Sequence, residues 1–132
     1  MAQENVEIVR RSLEAFNRSG IEAALAFDDP DIEWITTGTY AEANTYRGHA
    51  GVREYIGSYE AEFANMRMRP EELIEVGDQV VASVRITGTG KRSRVPVELT
   101  LTSVCSLHDG KVVRIHNYAD KAEALEAAGL RD

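Results

Sequence analysis

The sequence predicts an α+β fold in which helices gather on one face of a curled antiparallel sheet. Two observations predict it. The first half of the chain holds three helical segments and one strand, whereas the second half holds four strands joined by tight turns and then a short helix. The clearest strand signal flanks Asp109-Gly110, where β-branched and aromatic residues dominate both arms. Asp-Gly accepts the positive φ that both central residues of a type I′ hairpin turn need.

The composition is that of an ordinary globular domain. The 132 residues are 43% hydrophobic and 28% charged, so we expect one domain over residues 1–132 with a core that needs no disulfide. The net charge of −7 argues against nucleic acid as a partner. A single cysteine, no signal-peptide pattern and no apolar run near the ~18 residues of a membrane span together predict a cytoplasmic protein that does not enter a membrane.

Helical periods dominate the first half of the chain. The first apolar stripe consists of Val6, Val9, Leu13 and Phe16, and a later one of Val52, Tyr55, Ile56, Tyr59 and Phe63. The predicted elements are a helix with Asn5 as N-cap that ends within residues 17–20, a short helix at 21–27, a turn at 28–31, a strand at 32–37, a loop at 38–46, and a third helix that starts within residues 46–55 and reaches about Asn65.

Two tight turns organise the second half of the chain. Gly77-Asp78 is typical of a type II′ turn between strands at 73–76 and 79–87, and Asp109-Gly110 joins strands at 95–107 and 111–118. Counting outward from Asp109-Gly110 pairs His108 with Lys111, Leu107 with Val112, Cys105 with Arg114 and Ser103 with His116 on one face, and Val104 with Ile115 and Thr102 with Asn117 on the other. A last helix follows, with Asp120 as N-cap and Gly129 at its C-terminal end.

The order and spacing of five stretches resemble a known family. They are VRRSLEAFN (9–17), DIEW (31–34), YRGHAG (46–51), DGKVVR (109–114) and YADKAEALEAAGL (118–130). Together they resemble the SnoaL-like branch of the nuclear-transport-factor-2-like (NTF2-like) superfamily, which also includes ketosteroid isomerases. The resemblance implies a cone-shaped antiparallel sheet wrapped around the N-terminal helices, a deep apolar pocket, and a homodimer formed through the convex sheet face. It also implies that Thr102, Val104, Ile115 and Asn117 face the pocket, while Ser103, His116 and Tyr118 face outward.

The resemblance implies an isomerase, cyclase or dehydratase that uses acid/base chemistry, without a cofactor, on a hydrophobic polyketide- or steroid-like substrate. The catalytic side chains of ketosteroid isomerases are absent at the matching positions, which hold Ser12, Trp34, and Thr102 or Ser103. Asn117 stands where related cyclases place an acid, and an amide can donate a hydrogen bond but cannot accept a proton. Steroid isomerisation of the known kind is therefore not expected.

Nine residues are candidates for a functional site. The catalytic candidates are Asn117, Arg85 and His49, and the candidates for contact with a small hydrophobic molecule are Trp34, Tyr55, Tyr59, Thr102, Val104 and Ile115. Arg85 either pairs with Glu98 on the next strand, which we favour, or meets an anionic group of the ligand. No metal site is expected, because His49, His108 and His116 lack the spacing of metal ligands.

Two functions other than catalysis stay open. The missing carboxylates favour a non-catalytic protein that binds a small hydrophobic molecule without turnover. The other is a dimeric accessory protein whose vestigial cavity is filled by Trp34 and the aromatic residues of the third helix. The family resemblance places the enzyme first.

Overall fold

The computed structural model describes residues 4–36 and 44–130. The helices are α1 (Glu4–Ser19), α2 (Ile21–Ala24), α3 (Gly48–Glu60) and α4 (Lys121–Ala127), with a 3₁₀ turn at Leu25–Phe27. The strands are β1 (Asp28–Ile35), β2 (Thr45–Arg47), β3 (Phe63–Val76), β4 (Gln79–Gly90), β5 (Pro96–His108) and β6 (Lys111–Tyr118). Most of the predicted loop at 38–46 lies outside the described residues. Within them, no helix has the length and apolar character that crossing a membrane requires.

The six strands form one curved sheet in the order β2-β1-β6-β5-β4-β3. Neighbouring strands are antiparallel except for β1 and β6, which run parallel. The sheet is therefore mixed rather than wholly antiparallel. A parallel pair needs a long connection, and here the chain from β2 to β5 supplies it. The predicted α+β fold, with N-terminal helices against a curved sheet, is confirmed.

The predicted apolar stripes of α1 and α3 pack against the concave face of the sheet. Val9 and Phe16 of α1 are buried, as are Val52 and Ile56 of α3, and they join one hydrophobic core with residues of the sheet. Asn5 lies inside α1 rather than at its N-cap, so that boundary was predicted slightly too late.

Helix α3 ends earlier than its apolar period predicts. It stops at Glu60, and Phe63 instead begins β3, where it pairs with Gly90. β3 is 14 residues long, whereas the sequence predicted a strand only at 73–76. The spacing of Tyr59 and Phe63 fits a helix, but pairing along the whole of β4 outweighs that local preference. Pro70 is tolerated because β3 is an edge strand with an irregular register at that point.

Both predicted hairpin turns are confirmed. Gly77 has a φ of +61°, while Asp109 and Gly110 have φ values of +50° and +78°. A type II′ turn needs one positive φ, at its first central residue, and a type I′ turn needs two. The residues that flank the two turns pair across them as predicted.

The register predicted for β5 and β6 is correct next to the turn and wrong beyond it. A bulge at Val113 adds one residue to β6, so every later pair is displaced by one. The observed pairs are His108 with Lys111 and Leu107 with Val112, then Ser106 with Arg114, Cys105 with Ile115, Ser103 with Asn117, Val104 with His116, and Thr102 with Tyr118. Because a slip of one residue exchanges the two faces of a strand, Ser103 replaces Thr102 and Val104 on the concave face.

Helix α4 lies on the convex face of the sheet. Asp120 caps its N-terminus through a side-chain oxygen, and Gly129 has a φ of +89° after its last turn, as expected. Ala124 is fully buried in a second hydrophobic cluster with Val81 and Val104. α4 therefore covers an apolar part of the convex face. The remainder exposes charged side chains, among them Arg67, Arg69, Arg85 and Glu98.

Candidate functional site

A cavity of about 120 Å³ lies between the concave face of the sheet and helices α1 to α3. Its wall is mostly apolar, with a few polar side chains. The lining residues are Val9, Ser12, Leu13, Phe16, Ile21, Ala24, Asp28, Trp34, Val52, Tyr55, Ile56, Tyr59, Met66, Met68, Ala82, Val84, Ile86, Leu99, Leu101, Ser103, Cys105, Val112 and Ile115. An apolar cavity with a few placed polar groups is typical of a site for a small molecule.

Asp28 is the carboxylic acid of this cavity wall. It is 7% exposed, and burial raises the pKa of its carboxyl to about 7, although His49 and Lys111 nearby oppose the rise. Among residues 4–36 and 44–130, no side chain or backbone amide donates a hydrogen bond to this carboxyl group. A carboxyl group that titrates near neutral pH can both accept and return a proton.

The backbone around Asp28 is held from two sides. The imidazole Nε2 of His49 lies 3.1 Å from the Asp28 carbonyl oxygen, and Lys111 Nζ donates to the carbonyl oxygen of Ala26 at 2.6 Å. Asp28 also pairs with Val112 at the start of β1. These contacts fix the acid at the cavity wall without satisfying its carboxylate.

Sequence reasoning missed Asp28. It placed residues 28–31 in a turn, and nothing in the sequence distinguishes Asp28 from Asp29 and Asp31. Only the packing of the strand makes one of these acids buried and leaves Asp31 exposed.

A hydrogen-bonded network centres on Asn117, behind another part of the wall. Its Oδ1 accepts from Trp34 Nε1 at 3.0 Å and from Ser103 Oγ at 2.8 Å. Its Nδ2 donates to the Tyr55 hydroxyl at 3.0 Å, and that hydroxyl lies 3.4 Å from the Tyr59 hydroxyl. Asn117 is 3% exposed, so the network occupies both ends of its amide.

Tyr55 sits among three aromatic rings. Its ring centroid is 4.9 Å from that of Trp34, 5.0 Å from Tyr46 and 5.3 Å from Tyr59. Burial raises the pKa of its hydroxyl far above the usual value. Tyr55 is therefore a neutral hydrogen-bonding group at any physiological pH and not a base.

The structure brings four of the nine predicted site residues to the cavity wall: Trp34, Tyr55, Tyr59 and Ile115. Asn117 lies behind the wall and His49 beside Asp28. Arg85 is exposed on the convex face and pairs with Glu98, the alternative that the sequence favoured. None of the three catalytic candidates lines the cavity, as far as the described residues extend.

Thr102 and Val104 were placed on the wrong face. Because the bulge at Val113 displaces β6 by one residue, Ser103 and Cys105 pair with Asn117 and Ile115 and share their face. Thr102 and Val104 lie on the convex side, where Thr102 contacts Ser83 at 3.2 Å and Val104 packs near Ala124. They do not belong to the cavity.

Cys105 also lines the cavity but is a poor nucleophile. Burial, with a smaller contribution from Asp28, raises the pKa of its thiol to about 12. No cluster of three or more His, Cys, Asp or Glu residues able to hold a metal ion occurs in the described part of the chain.

Comparison with known proteins identifies relatives of the whole fold. Residues 9–115 match the SnoaL-like domain family. No curated protein matches the sequence. An NTF2-like protein of unknown function from Burkholderia pseudomallei is 29% identical to this chain, with a TM-score of 0.76 over 96% of this chain and 97% of that chain. TerC, co-crystallised with polyporic acid, is also 29% identical with a TM-score of 0.76, over 96% of this chain and 98% of that chain. A Catenulispora acidiphila protein with a ketosteroid isomerase-like fold, in complex with trimethylamine, is 16% identical over 94% of this chain and 93% of that chain, with a TM-score of 0.74. At that identity it shows the fold alone.

Proposed function

Since the chain belongs to the SnoaL-like domain family, we propose that it is a cofactor-independent enzyme that moves a proton on a small, hydrophobic, polyketide-like carbonyl compound. The observation that carries this proposal is Asp28, a buried carboxyl in a mostly apolar cavity, to which no residue of 4–36 or 44–130 donates a hydrogen bond. TerC, 29% identical, was crystallised with polyporic acid, which supports an organic ligand of this kind.

The proposed reaction begins with the Asp28 carboxylate as general base. It takes a proton from the carbon next to the substrate carbonyl, and the electron pair moves onto the carbonyl oxygen. The hydroxyl groups of Tyr55 and Tyr59 donate hydrogen bonds to that oxygen. The protonated Asp28 then returns the proton to another carbon or to a leaving hydroxyl, which gives isomerisation or dehydration. The base and the hydroxyl donors belong to neighbouring parts of the site. Asp28 lies near Cys105, the network of Tyr55 includes Ser103, and these two residues of β5 are two positions, or about 7 Å, apart.

A non-catalytic binding protein is the second candidate. It is favoured by Asn117, which stands where related cyclases have an acid and is committed to internal hydrogen bonds. An accessory protein with a filled cavity is less favoured, because about 120 Å³ remains open beside Trp34, Tyr55 and Tyr59.

Hydrogen–deuterium exchange of 1-indanone tests the proposal. We expect the protein in D₂O to accelerate exchange at the carbon next to the carbonyl, measured by ¹H NMR, with a rate that rises as pH increases through about 7, the pKa of Asp28. Asp28→Asn should lower the rate by about 10²-fold or more, the usual contribution of a general base. The control is Asp29→Asn, because Asp29 does not line the cavity.

Binding is followed in parallel through the fluorescence of Trp34, the chain's single tryptophan, which lines the cavity. Binding without accelerated exchange would contradict the enzyme and support the binding protein. No binding by 1-indanone or by a wider set of ligands, polyporic acid included, would contradict both.

A further inference from the structure

The hydrogen bonds behind the cavity run in a single direction. The indole Nε1–H of Trp34 can only donate, so the Asn117 atom 3.0 Å away must be the amide oxygen. The Ser103 hydroxyl donates to the same oxygen at 2.8 Å. The Asn117 amide nitrogen therefore faces Tyr55 and donates to its hydroxyl oxygen at 3.0 Å. A donor-only group at one end, the Trp34 indole, thus fixes the direction of every hydrogen bond in this series.

The last hydrogen bond of this series, from the Tyr55 hydroxyl, is the weakest. Because the Tyr55 oxygen accepts from Asn117, the Tyr55 proton must point elsewhere. Among the described residues its hydrogen-bond neighbour is the Tyr59 hydroxyl at 3.4 Å, a distance longer than the ~2.5–3.0 Å of a good bond between hydroxyl groups. Both tyrosines line the cavity, whereas Asn117 is buried behind it. A ligand oxygen can therefore take this proton at little cost to the network.

We propose that Trp34 and Ser103, acting through Asn117, orient Tyr55 so that the cavity presents a phenol proton and selects ligands carrying an acceptor oxygen such as a carbonyl. This inference rests on the proposed function insofar as the cavity must bind a small molecule. Asn117 is then a positioning residue: it contacts no ligand but determines which hydrogen-bonding group the ligand must carry.

Three bicyclic probes of nearly the same shape test the inference. 1-Indanone carries an acceptor oxygen, indole carries an N–H donor, and indene carries neither. Their affinities are measured by Trp34 fluorescence and isothermal titration calorimetry. We expect 1-indanone to bind the unaltered protein roughly 3- to 10-fold more tightly than indene, the value of one net hydrogen bond. Indole can donate to the Asp28 carboxylate, so its affinity is compared between variants and not with that of indene.

Two variants separate orientation from packing. Tyr55→Phe removes the phenol proton and should reduce the preference for 1-indanone over indene to about one. The matched control, Tyr46→Phe, removes the hydroxyl of a ring that contacts Tyr55 but does not line the cavity, and should retain the preference. Asp28 is unchanged in all these proteins, so its own contacts with the probes cancel.

Asn117→Asp at pH 8 is the stronger test. An ionised carboxylate still accepts from Trp34 and Ser103 but must also accept from Tyr55, so the Tyr55 proton turns away from the cavity. The affinity of indole relative to 1-indanone should therefore rise above its value in the unaltered protein. A merely structural role for Asn117 would weaken all three probes equally.

Three outcomes would overturn the inference. They are equal binding of 1-indanone and indene to the unaltered protein, an undiminished preference for 1-indanone over indene in Tyr55→Phe, and an undiminished preference in a folded Asn117→Asp protein. If Asn117→Asp does not fold, Tyr55→Phe decides. Equal binding of 1-indanone and indene would leave Asp28 as the proposed general base but remove the hydrogen bond from Tyr55, whereas the absence of all binding would contradict the proposed function as well.

Discussion

Burial raises the pKa of Asp28 from 3.8 to about 7, and this has a consequence for stability apart from catalysis. The folded protein binds the Asp28 proton more tightly than the unfolded chain does. The stabilisation from this group is therefore complete below about pH 4 and is lost as pH rises toward and through 7. At 1.36 kcal/mol per pKa unit, the free energy of unfolding that is lost between these pH values amounts to roughly 4 kcal/mol.

Asp28→Asn should remove this dependence on pH. We expect the variant to match the unaltered protein in free energy of unfolding near pH 4 and to be more stable by up to about 4 kcal/mol at pH 8, because the amide has no charge to bury. Urea unfolding at several pH values measures the difference. A variant that is equally or less stable than the unaltered protein at pH 8 would contradict the burial of an ionisable Asp28, and Asp29→Asn serves as the control.

Arg85, unlike Asp28, is exposed to solvent and has a partner of opposite charge. Arg85 was a catalytic candidate because a long cation within a sheet needs a partner, and the structure provides Glu98 on the same exposed face. A pair so open to solvent contributes little. The pattern of charges along the strand could indicate the partner, but it could not indicate which face lines the cavity.

At the scale of elements, the site depends on how closely α3 approaches β2. A Cβ atom on Gly51 would lie 2.8 Å from the carbonyl carbon of Tyr46, closer than real Cβ atoms come, whereas a Cβ on Gly57 would meet nothing within 4 Å. Both glycines lie in α3, which also carries Tyr55 and Tyr59. The two positions therefore form a matched pair for testing the packing of this helix.

Gly51→Ala should destabilise the protein by about 1–3 kcal/mol, the usual cost of overpacking, because the obstacle is backbone that cannot rotate away. Gly57→Ala should be neutral or stabilise by up to about 1 kcal/mol, since alanine favours a helix. Thermal unfolding measures both, and Trp34 fluorescence should change only in Gly51→Ala, which shifts Tyr55. Equal effects at the two positions would contradict the close approach of α3 to β2.

At the scale of the whole molecule, the convex face determines how two copies could associate. α4 covers an apolar part of it, and the part that stays open carries exposed charged side chains, among them Arg67, Arg69, Arg85 and Glu98. We propose that the homodimer expected from the family forms through this polar part, with arginines of one copy facing glutamates of the other. Such an interface is smaller and more sensitive to salt than an apolar one.

Light scattering at increasing NaCl concentration tests the dimer. We expect twice the chain mass at low salt, a decline toward the single-chain mass as salt screens the charges, and a weaker dimer in Arg85→Glu, which places like charges together. Arg18→Glu, at an exposed position of α1, makes the same charge change away from the convex face and serves as the control. A single-chain mass at low salt would contradict the proposal. The cytoplasmic location stays a prediction.

The fold could be predicted from the sequence further than the site could. The turns at Gly77-Asp78 and Asp109-Gly110 depend on backbone conformations that few residue types adopt, and the apolar stripes of α1 and α3 depend on local spacing. The bulge at Val113 has no such local signature. One inserted residue exchanged the predicted roles of Ser103 and Thr102 while leaving Ile115 and Asn117 in place.

The sequence by itself determined the α+β class, both hairpin turns, the capped last helix and the family, because each depends on residues close together in the chain or on their order along it. Only the tertiary structure decided that Asp28 is buried with no donor among the described residues, that Asn117 donates to Tyr55 from behind the wall, and that Arg85 lies on the exposed convex face. Burial and hydrogen-bond direction depend on groups far apart in the chain, 83 residues for Trp34 and Asn117, and on a strand register that a single bulge can reverse.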